Sequence, residues 1–130
     1  MEVLKEQSKC AQDAIERLKE SLSYDIQSIP IALDAVIQRF EFTYEMLWKL
    51  ARLILKYNYD QECNSPRQCF KLLVRLRIFD NEEFLMDLIT ARNLTAHTYN
   101  QKYAKEIYDF VKNNIEELVN LLFSLKQVLD

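Results

Sequence analysis

Apolar residues recur along the chain at helical spacing and divide it into five segments. The apolar stripe of the first segment, roughly residues 2–23, consists of Leu4, Ala11, Ile15, Leu18 and Leu22. Residues three or four apart lie on one side of a helix, so this spacing predicts an amphipathic helix with one buried face. The second segment, roughly residues 30–57, is apolar on several faces. That pattern predicts a central helix with neighbours on more than one side.

Polar residues mark where the third and fourth helices begin. Ser65 and Pro66 precede a segment over roughly residues 66–77, with Ser as the N-cap and Pro in the first turn. The stretch Asp80–Glu83 has the pattern of a capping box ahead of a segment over roughly residues 81–95. Both signals predict helices separated by short connections.

The fifth helical segment starts near Asn100 and runs to about residue 127. Its inner stripe consists of Ile107, Val111, Leu118, Leu122 and Leu125. Short connections between long amphipathic helices favour antiparallel neighbours. We therefore predict an all-α protein, a four-helix up-and-down bundle with one shorter extra helix, in a single domain over residues 1–130. The last stripe is larger than one chain is expected to cover, so we expect a homodimer to bury the surplus.

Composition excludes several classes of function. The chain contains no Gly, so it lacks the Gly-rich phosphate loop and the dinucleotide-binding fingerprint. Its three cysteines are odd in number and form no C-x-x-C pair, which favours reduced thiols over a disulfide scaffold or a zinc site. No stretch resembles a secretory signal or a membrane span, and we expect a cytoplasmic protein.

Charge is distributed unevenly along the chain. The net charge is −3, yet residues 46–77 carry seven basic and two acidic side chains. A charge run usually does no more than solvate a helix face. A basic strip can also contact phosphates, which is the sequence-independent part of nucleic-acid binding. Arg92, Lys49 and Arg52 are accordingly our candidate residues for binding phosphate or nucleic acid.

The segment from Arg92 to Tyr99 gathers four side chains suited to phosphate-ester chemistry. Arg92 can hold a phosphate through two hydrogen bonds, with Asn93 beside it. The only histidine of the chain, His97, can take a proton from a ribose 2′-OH near neutral pH, and Tyr99 follows it. Such a cleavage needs neither a metal nor a cofactor. A lone histidine is more often structural, so a helical scaffold in which these residues only cap and pack remains an alternative.

Geometry limits how Arg92 and His97 can act together. Residues five apart are separated by about 140° around an ideal helix, so the two would not share a face. Either the helix ends between them or a second chain completes the site. Transesterification needs both a base and an acid, and a two-fold dimer would supply a second histidine.

Four blocks of sequence resemble a known family. The pattern from Arg92 through His97 to Tyr99 fits the R-x4-H-x-Y signature of HEPN (higher eukaryotes and prokaryotes nucleotide-binding) domains. Residues 38–49, QRFEFTYEMLWK, resemble the second helix of the nucleotidyltransferase substrate-binding protein family. Residues 65–67 and 80–84 fall where that family begins its third and fourth helices. The resemblance covers about residues 30–110.

This resemblance implies a HEPN-type bundle, commonly a homodimer, whose partner is a minimal nucleotidyltransferase encoded nearby. In related pairs the HEPN protein is a ribonuclease toxin, and the transferase is an antitoxin that adds AMP to the motif tyrosine. Carried over, Arg92 and His97 are catalytic, Asn93 supports them, and Tyr99 is the modification site. The alternative is a non-catalytic subunit that binds a nucleotide or substrate for the transferase.

The chain departs from the family pattern at the end of the third helix. The resemblance leads us to expect Gly there, but Arg77 occupies the position. Because a residue other than Gly disfavours the left-handed conformation, we expect a different turn into the fourth helix.

Overall fold

The computed structural model describes residues 2–129, and within that range it contains five α-helices, one short 3-10 helix and no strand. In chain order the elements are α1 (Glu2–Leu22), α2 (Ile31–Tyr59), α3 (Pro66–Arg75), α4 (Glu82–Leu94), the 3-10 helix (Thr95–His97) and α5 (Gln101–Gln127). Each predicted helix is present, with ends within two residues of those expected. The all-α helical bundle is therefore confirmed.

Side-chain caps explain why three of the helices begin where they do. Ser65 accepts a hydrogen bond from the Gln68 N–H at the start of α3. Asn81 does the same for the Phe84 N–H at the start of α4. At the start of α5, Asn100 accepts from the Lys102 N–H. Each cap satisfies a backbone donor that has no partner within the helix.

The central position predicted for α2 is confirmed, since α2 packs against α1, α3 and α5. Five apolar side chains of α2 at helical spacing are fully buried: Phe40, Leu47, Leu50, Ala51 and Ile54. Edge-to-face aromatic pairs join α2 to two other helices, with Phe40 against Phe110 at 6.2 Å and Tyr44 against Phe70 at 6.0 Å between ring centroids. None of the described helices is long and apolar enough to cross a membrane.

The apolar stripe of α5 is covered by its own chain. All five predicted members, Ile107, Val111, Leu118, Leu122 and Leu125, are buried. Our expectation of a surplus on this stripe was wrong, because α1, α2 and α4 all pack against α5. The large apolar side chain that α5 leaves in solvent is Phe123, which is 62% exposed. The stripe therefore gives no reason for a dimer.

The turn after α3 contains a residue in the left-handed conformation, which glycine adopts most easily. Arg77 has a φ of 60°. Its N–H donates to the Val74 carbonyl, and the Ile78 N–H donates to the Leu73 carbonyl. These are the paired hydrogen bonds of a Schellman motif, which satisfies the last carbonyls of a helix. The expectation of a different turn was therefore wrong, because hydrogen bonding retains the turn despite the steric preference of arginine.

Two of the three cysteines form a disulfide, which corrects the expectation of reduced thiols. Cys63, in the loop after α2, is bonded to Cys69 in α3, and their Cα atoms are 5.2 Å apart. Both residues are buried. The chain reverses at Ser65 and Pro66, so the first turns of α3 bring Cys69 back to the loop. Cys10 is free and exposed.

Candidate functional site

The helix that carries Arg92 ends before His97. α4 stops at Leu94, and a 3-10 turn over Thr95–His97 leads to the start of α5. This is one of the two arrangements that the sequence left open. The change of helix type turns the chain, so Arg92 projects from the end of α4 while His97 lies on the connection.

The Arg92 guanidinium is held by residues of α2 and by its own turn. Nη1 lies 3.7 Å from a Glu41 carboxylate oxygen, and Nη2 lies 4.0 Å from one of Glu45. Nη1 also donates to the Thr95 hydroxyl at 2.6 Å, and that hydroxyl donates to the Arg92 carbonyl. The guanidinium carbon is 6.0 Å from the centre of the Tyr44 ring, within range of a cation–π contact.

These contacts orient Arg92 without using all of its donors. A charge-assisted N–H···O bond is about 2.7–2.9 Å long, so the two carboxylates attract the guanidinium but do not hydrogen-bond to it. The Nε–H is buried and has no partner among the described residues. A guanidinium has five N–H donors. The buried Nε–H is closed to a ligand, so the donors that Arg92 can offer a phosphate are the Nη N–H groups that Thr95 leaves free.

Arg92 lines a groove between α1, α2 and α4. The groove has a volume of about 690 Å³, and its lining includes Arg17 from α1 and Arg39 from α2. Glu41 and Glu45 form its acidic part. Three arginines and two glutamates line a space the size of a small-molecule site, and Glu20 beside it pairs with Arg39 at 3.8 Å, so the charges of the groove are nearly balanced.

His97 and Tyr99 form a second, exposed group. The Tyr99 hydroxyl lies 3.4 Å from His97 Nδ1, with the donor set by the imidazole tautomer. Their rings meet edge to face at 5.9 Å, and the Tyr103 ring lies 6.3 Å from the imidazole. Tyr99 is 83% exposed. The phenol is thus accessible to another protein while it stays beside the histidine.

The structure does not join Arg92 to His97 within one chain. No hydrogen bond, ion pair or ring contact among the described residues links the two side chains, which have the separate partners described above. Asn93, in the last turn of α4, is exposed. Arg92 and Asn93 thus lie in the last turn of α4, and His97 lies on the 3-10 turn that follows it, in a separate group of side chains.

Lys49 and Arg52 line a different groove from that of Arg92. This second groove, of about 300 Å³, also includes Lys56 from α2, Gln7 from α1 and Cys63 from the loop after α2. Glu45, which lines the first groove, lies 3.9 Å from the ammonium of Lys49, which lines the second. The candidate phosphate-binding residues thus follow one face of α2 away from Arg92.

Comparison with known proteins identifies the family. The family model described as nucleotidyltransferase substrate binding protein like matches residues 7–127. The chain belongs to this family. The match extends the resemblance seen in residues 30–110 over nearly the whole chain, so the family members share the entire bundle rather than a short motif.

A solved structure of similar fold supports the family assignment. A protein of Thermus thermophilus, known from its crystal structure, is 27% identical in sequence to this chain. The two structures superimpose with a TM-score of 0.77. The similarity covers 92% of this chain and 99% of that one. Comparison with curated proteins gives no match.

Sequence reasoning missed the acidic partners of Arg92. Glu41 and Glu45 lie in the block that resembles the family's second helix, but no role was assigned to them. Their spacing of four residues on a largely apolar helix places both on one face, which was the available signal. Among residues 2–129, no group of three or more His, Cys, Asp or Glu side chains is placed to hold a metal ion.

Proposed function

We propose that this chain is itself an endoribonuclease of the HEPN type and that its partner is a nucleotidyltransferase. The transferase silences the ribonuclease by adding AMP to Tyr99. The family to which the chain belongs supports the partner. The observation that carries the rest is the exposed Tyr99 hydroxyl 3.4 Å from His97 Nδ1. Any group attached to that oxygen comes to lie against the imidazole.

In the proposed cleavage His97 and Arg92 have separate tasks. The imidazole takes the proton of a ribose 2′-OH, and the freed oxygen attacks the adjacent phosphorus. A cyclic phosphate forms, and the bond to the 5′-oxygen breaks. Arg92 neutralises the charge that develops on the phosphate oxygens, using the donors that its carboxylate partners leave free. No metal or cofactor takes part in this scheme.

The leaving 5′-oxygen requires a proton from a second acid. Each chain has one histidine, so a second copy of the chain in a homodimer would supply it. A two-fold arrangement would also bring a second Arg92 to the same phosphate. Asn93, exposed one residue after Arg92, is available to donate to the RNA.

Addition of AMP to Tyr99 would stop this reaction. The phenol oxygen attacks the α-phosphorus of ATP, its proton leaves, and pyrophosphate departs. The new phosphodiester brings negative charge and bulk to the place where an RNA phosphate must lie. Repulsion and blocking therefore both oppose RNA binding.

The test is RNA cleavage by the purified, unmodified protein. His97→Ala should reduce the cleavage rate by a factor of about 10² or more, because a positioned acid–base group contributes ~10²–10⁴-fold. Arg92→Ala should reduce it by a similar factor, because it removes a donor that stabilises the charge of the transition state. Lys102→Ala, which removes an exposed cation nearby, should leave the rate unchanged. RNA that stays intact at high protein concentration would contradict the ribonuclease assignment.

The groove around Arg92 favours one alternative, a non-catalytic subunit that binds a nucleotide. Three arginines line a space of about 690 Å³ beside Phe42, which is 52% exposed and available for contact with a base. This alternative predicts that calorimetry detects ATP binding that weakens in Arg39→Ala, with no cleavage of RNA. Cleavage that depends on His97, without nucleotide binding, would exclude it.

A further inference from the structure

We propose that α2 carries a binding strip for single-stranded RNA, formed by Lys49, Arg52 and Lys56 with Tyr57 at its far end. This inference rests on the proposed function, because it names the form of RNA that the Arg92 site receives. The strip continues the face of α2 that starts beside Arg92. It would hold the nucleotides that flank the phosphate to be cleaved.

Helical spacing places the three cations in one row. Lys49, Arg52 and Lys56 are three and four residues apart, so their side chains lie on the same face of α2. With a rise of 1.5 Å per residue the row is about 10 Å long. All three side chains are exposed and line the groove of about 300 Å³, in which Glu62 is the acidic member. The groove therefore has an excess of positive charge along its length.

Glu45 connects this row to Arg92. Its carboxylate lies 4.0 Å from the Arg92 guanidinium and 3.9 Å from the Lys49 ammonium. The negative charge of Glu45 is thus balanced from both sides. A strand with one phosphate on Arg92 would reach Lys49 next and end near Lys56. Along the axis of α2, Lys56 is about 16 Å from Glu45.

The walls of the groove are fixed before any ligand binds. On the α1 side, the Gln7 amide donates to the Met46 carbonyl at 3.1 Å. On the loop side, the disulfide between Cys63 and Cys69 fixes the segment after α2 to α3. A preformed groove loses little conformational entropy on binding, which favours affinity.

Tyr57 supplies the feature that points to a single strand. It lies about 100° around the helix from Lys56 and outside the lining of the groove, but it is 46% exposed, and the Lys56 ammonium joins it to the row at 5.4 Å from the centre of its ring. Tyr59, by contrast, packs against the core. Proteins that bind single strands without sequence preference combine a positively charged groove with aromatic side chains on which bases stack. A duplex keeps its bases stacked on one another, so it would leave Tyr57 unused.

The test is the binding of an RNA of about twelve nucleotides, 2′-O-methylated so that it cannot be cleaved, followed by fluorescence anisotropy. The triple variant Lys49→Gln, Arg52→Gln, Lys56→Gln should bind at least ~10-fold more weakly. For this variant, the slope of log affinity against log salt concentration should be smaller in magnitude by about 2. The reason is that three phosphate contacts are lost, and each contributes ~0.7 to the slope for single strands. Tyr57→Ala should weaken single-strand binding by about 5-fold or more.

The matched control is Lys5→Gln, Lys9→Gln, Lys126→Gln. It removes the same charge from three exposed lysines that line another groove. This control should bind within about 2-fold of the native protein. Equal weakening in the two triple variants, or equal affinity of the native protein for single strand and duplex, would overturn the strip. Circular dichroism on each variant checks that the fold is retained.

Separate measurement of cleavage distinguishes this inference from the proposed function. Binding through the strip without cleavage of unmethylated RNA would contradict the ribonuclease and leave the strip standing. Cleavage by the first triple variant with unchanged kcat and KM would contradict the strip and leave the ribonuclease standing.

Discussion

Tyr44 is the residue whose ionisation the fold changes most clearly. Burial raises the pKa of its phenol to about 12, and the positive charge of Arg92 opposes part of that rise. The Tyr44 ring packs edge to face against Phe70, and the guanidinium of Arg92 lies over the Tyr44 ring. Tyr44 thus belongs both to the core and to the support of Arg92.

The Tyr44 pKa predicts how stability changes in alkali. In the unfolded chain a tyrosine titrates near 10, so between about pH 10 and 12 the unfolded state releases its proton and the folded state does not. The free energy of unfolding should therefore fall over that window. Urea denaturation at increasing pH should show a smaller fall in Tyr44→Phe and the full fall in Tyr24→Phe, where the removed phenol is exposed. Parallel curves for the native protein and Tyr44→Phe would contradict this account.

Arg77 offers a second prediction at a single residue. Arg77 has a left-handed backbone, which destabilises any residue other than Gly by about 1–2 kcal/mol. Arg77→Gly should raise the free energy of unfolding by about 0.5–1 kcal/mol, after the greater freedom of Gly in the unfolded chain is subtracted. The control is Lys71→Gly, at an exposed position in the interior of α3, which should lower stability by about 1 kcal/mol. Thermal denaturation in which both variants shift in the same direction would refute the explanation.

At the scale of the elements, the five helices could be predicted from the sequence because each leaves a local signal. The stripe of α1 and the caps at Ser65 and Asn81 act within a few residues of the structure they specify. The contacts of Arg92 could not be predicted in this way. They depend on how the end of α4 lies against α2, which is a property of tertiary packing.

Two element-level expectations failed for related physical reasons. The α5 stripe is consistent with a dimer only if its own chain leaves it uncovered, and three helices cover it. The lack of a C-x-x-C pair favours reduced thiols, whereas Cys63 and Cys69 are brought together by the turn into α3. Both outcomes are set by distances in space rather than by spacing along the chain.

The disulfide in the loop after α2 should make a measurable contribution to the free energy of unfolding. Closing a loop of this size removes freedom from the unfolded chain, and the chain-entropy relation gives about 2 kcal/mol. Reduction with dithiothreitol should therefore lower the free energy of unfolding by about that amount, as should the double variant Cys63→Ala, Cys69→Ala. Cys10→Ser, at the exposed free thiol, should change nothing. Equal stability of the oxidised and reduced protein would contradict the role given to the bond.

At the scale of the whole molecule, one copy of the chain presents the candidate residues as two separate groups. The Arg92 side chain faces the groove between α1 and α2, while His97 lies with Tyr99 and Tyr103 on the connection to α5. The motif itself could be found from sequence, but its separation into two groups could not. The proposed chemistry needs two histidines, which makes assembly part of the mechanism.

Assembly predicts that cleavage depends on protein concentration. If two copies share one site, the rate per chain should fall on dilution as dimers dissociate. Mixing the native protein with an excess of His97→Ala should also lower the rate per native chain, because mixed dimers lack the second histidine. Sedimentation over the same concentrations measures the dimer directly. A constant rate per chain across a measured monomer–dimer transition would show that one copy suffices.

The most direct test of the whole account joins modification and cleavage in one sample. The purified protein is incubated with its partner nucleotidyltransferase and ATP, and intact mass and RNA cleavage are followed together. The account predicts a gain of one AMP per chain at Tyr99, with cleavage falling in proportion to the modified fraction. Tyr99→Phe should gain no AMP and should continue to cleave. AMP attached at another residue, or undiminished cleavage by fully modified protein, would contradict it.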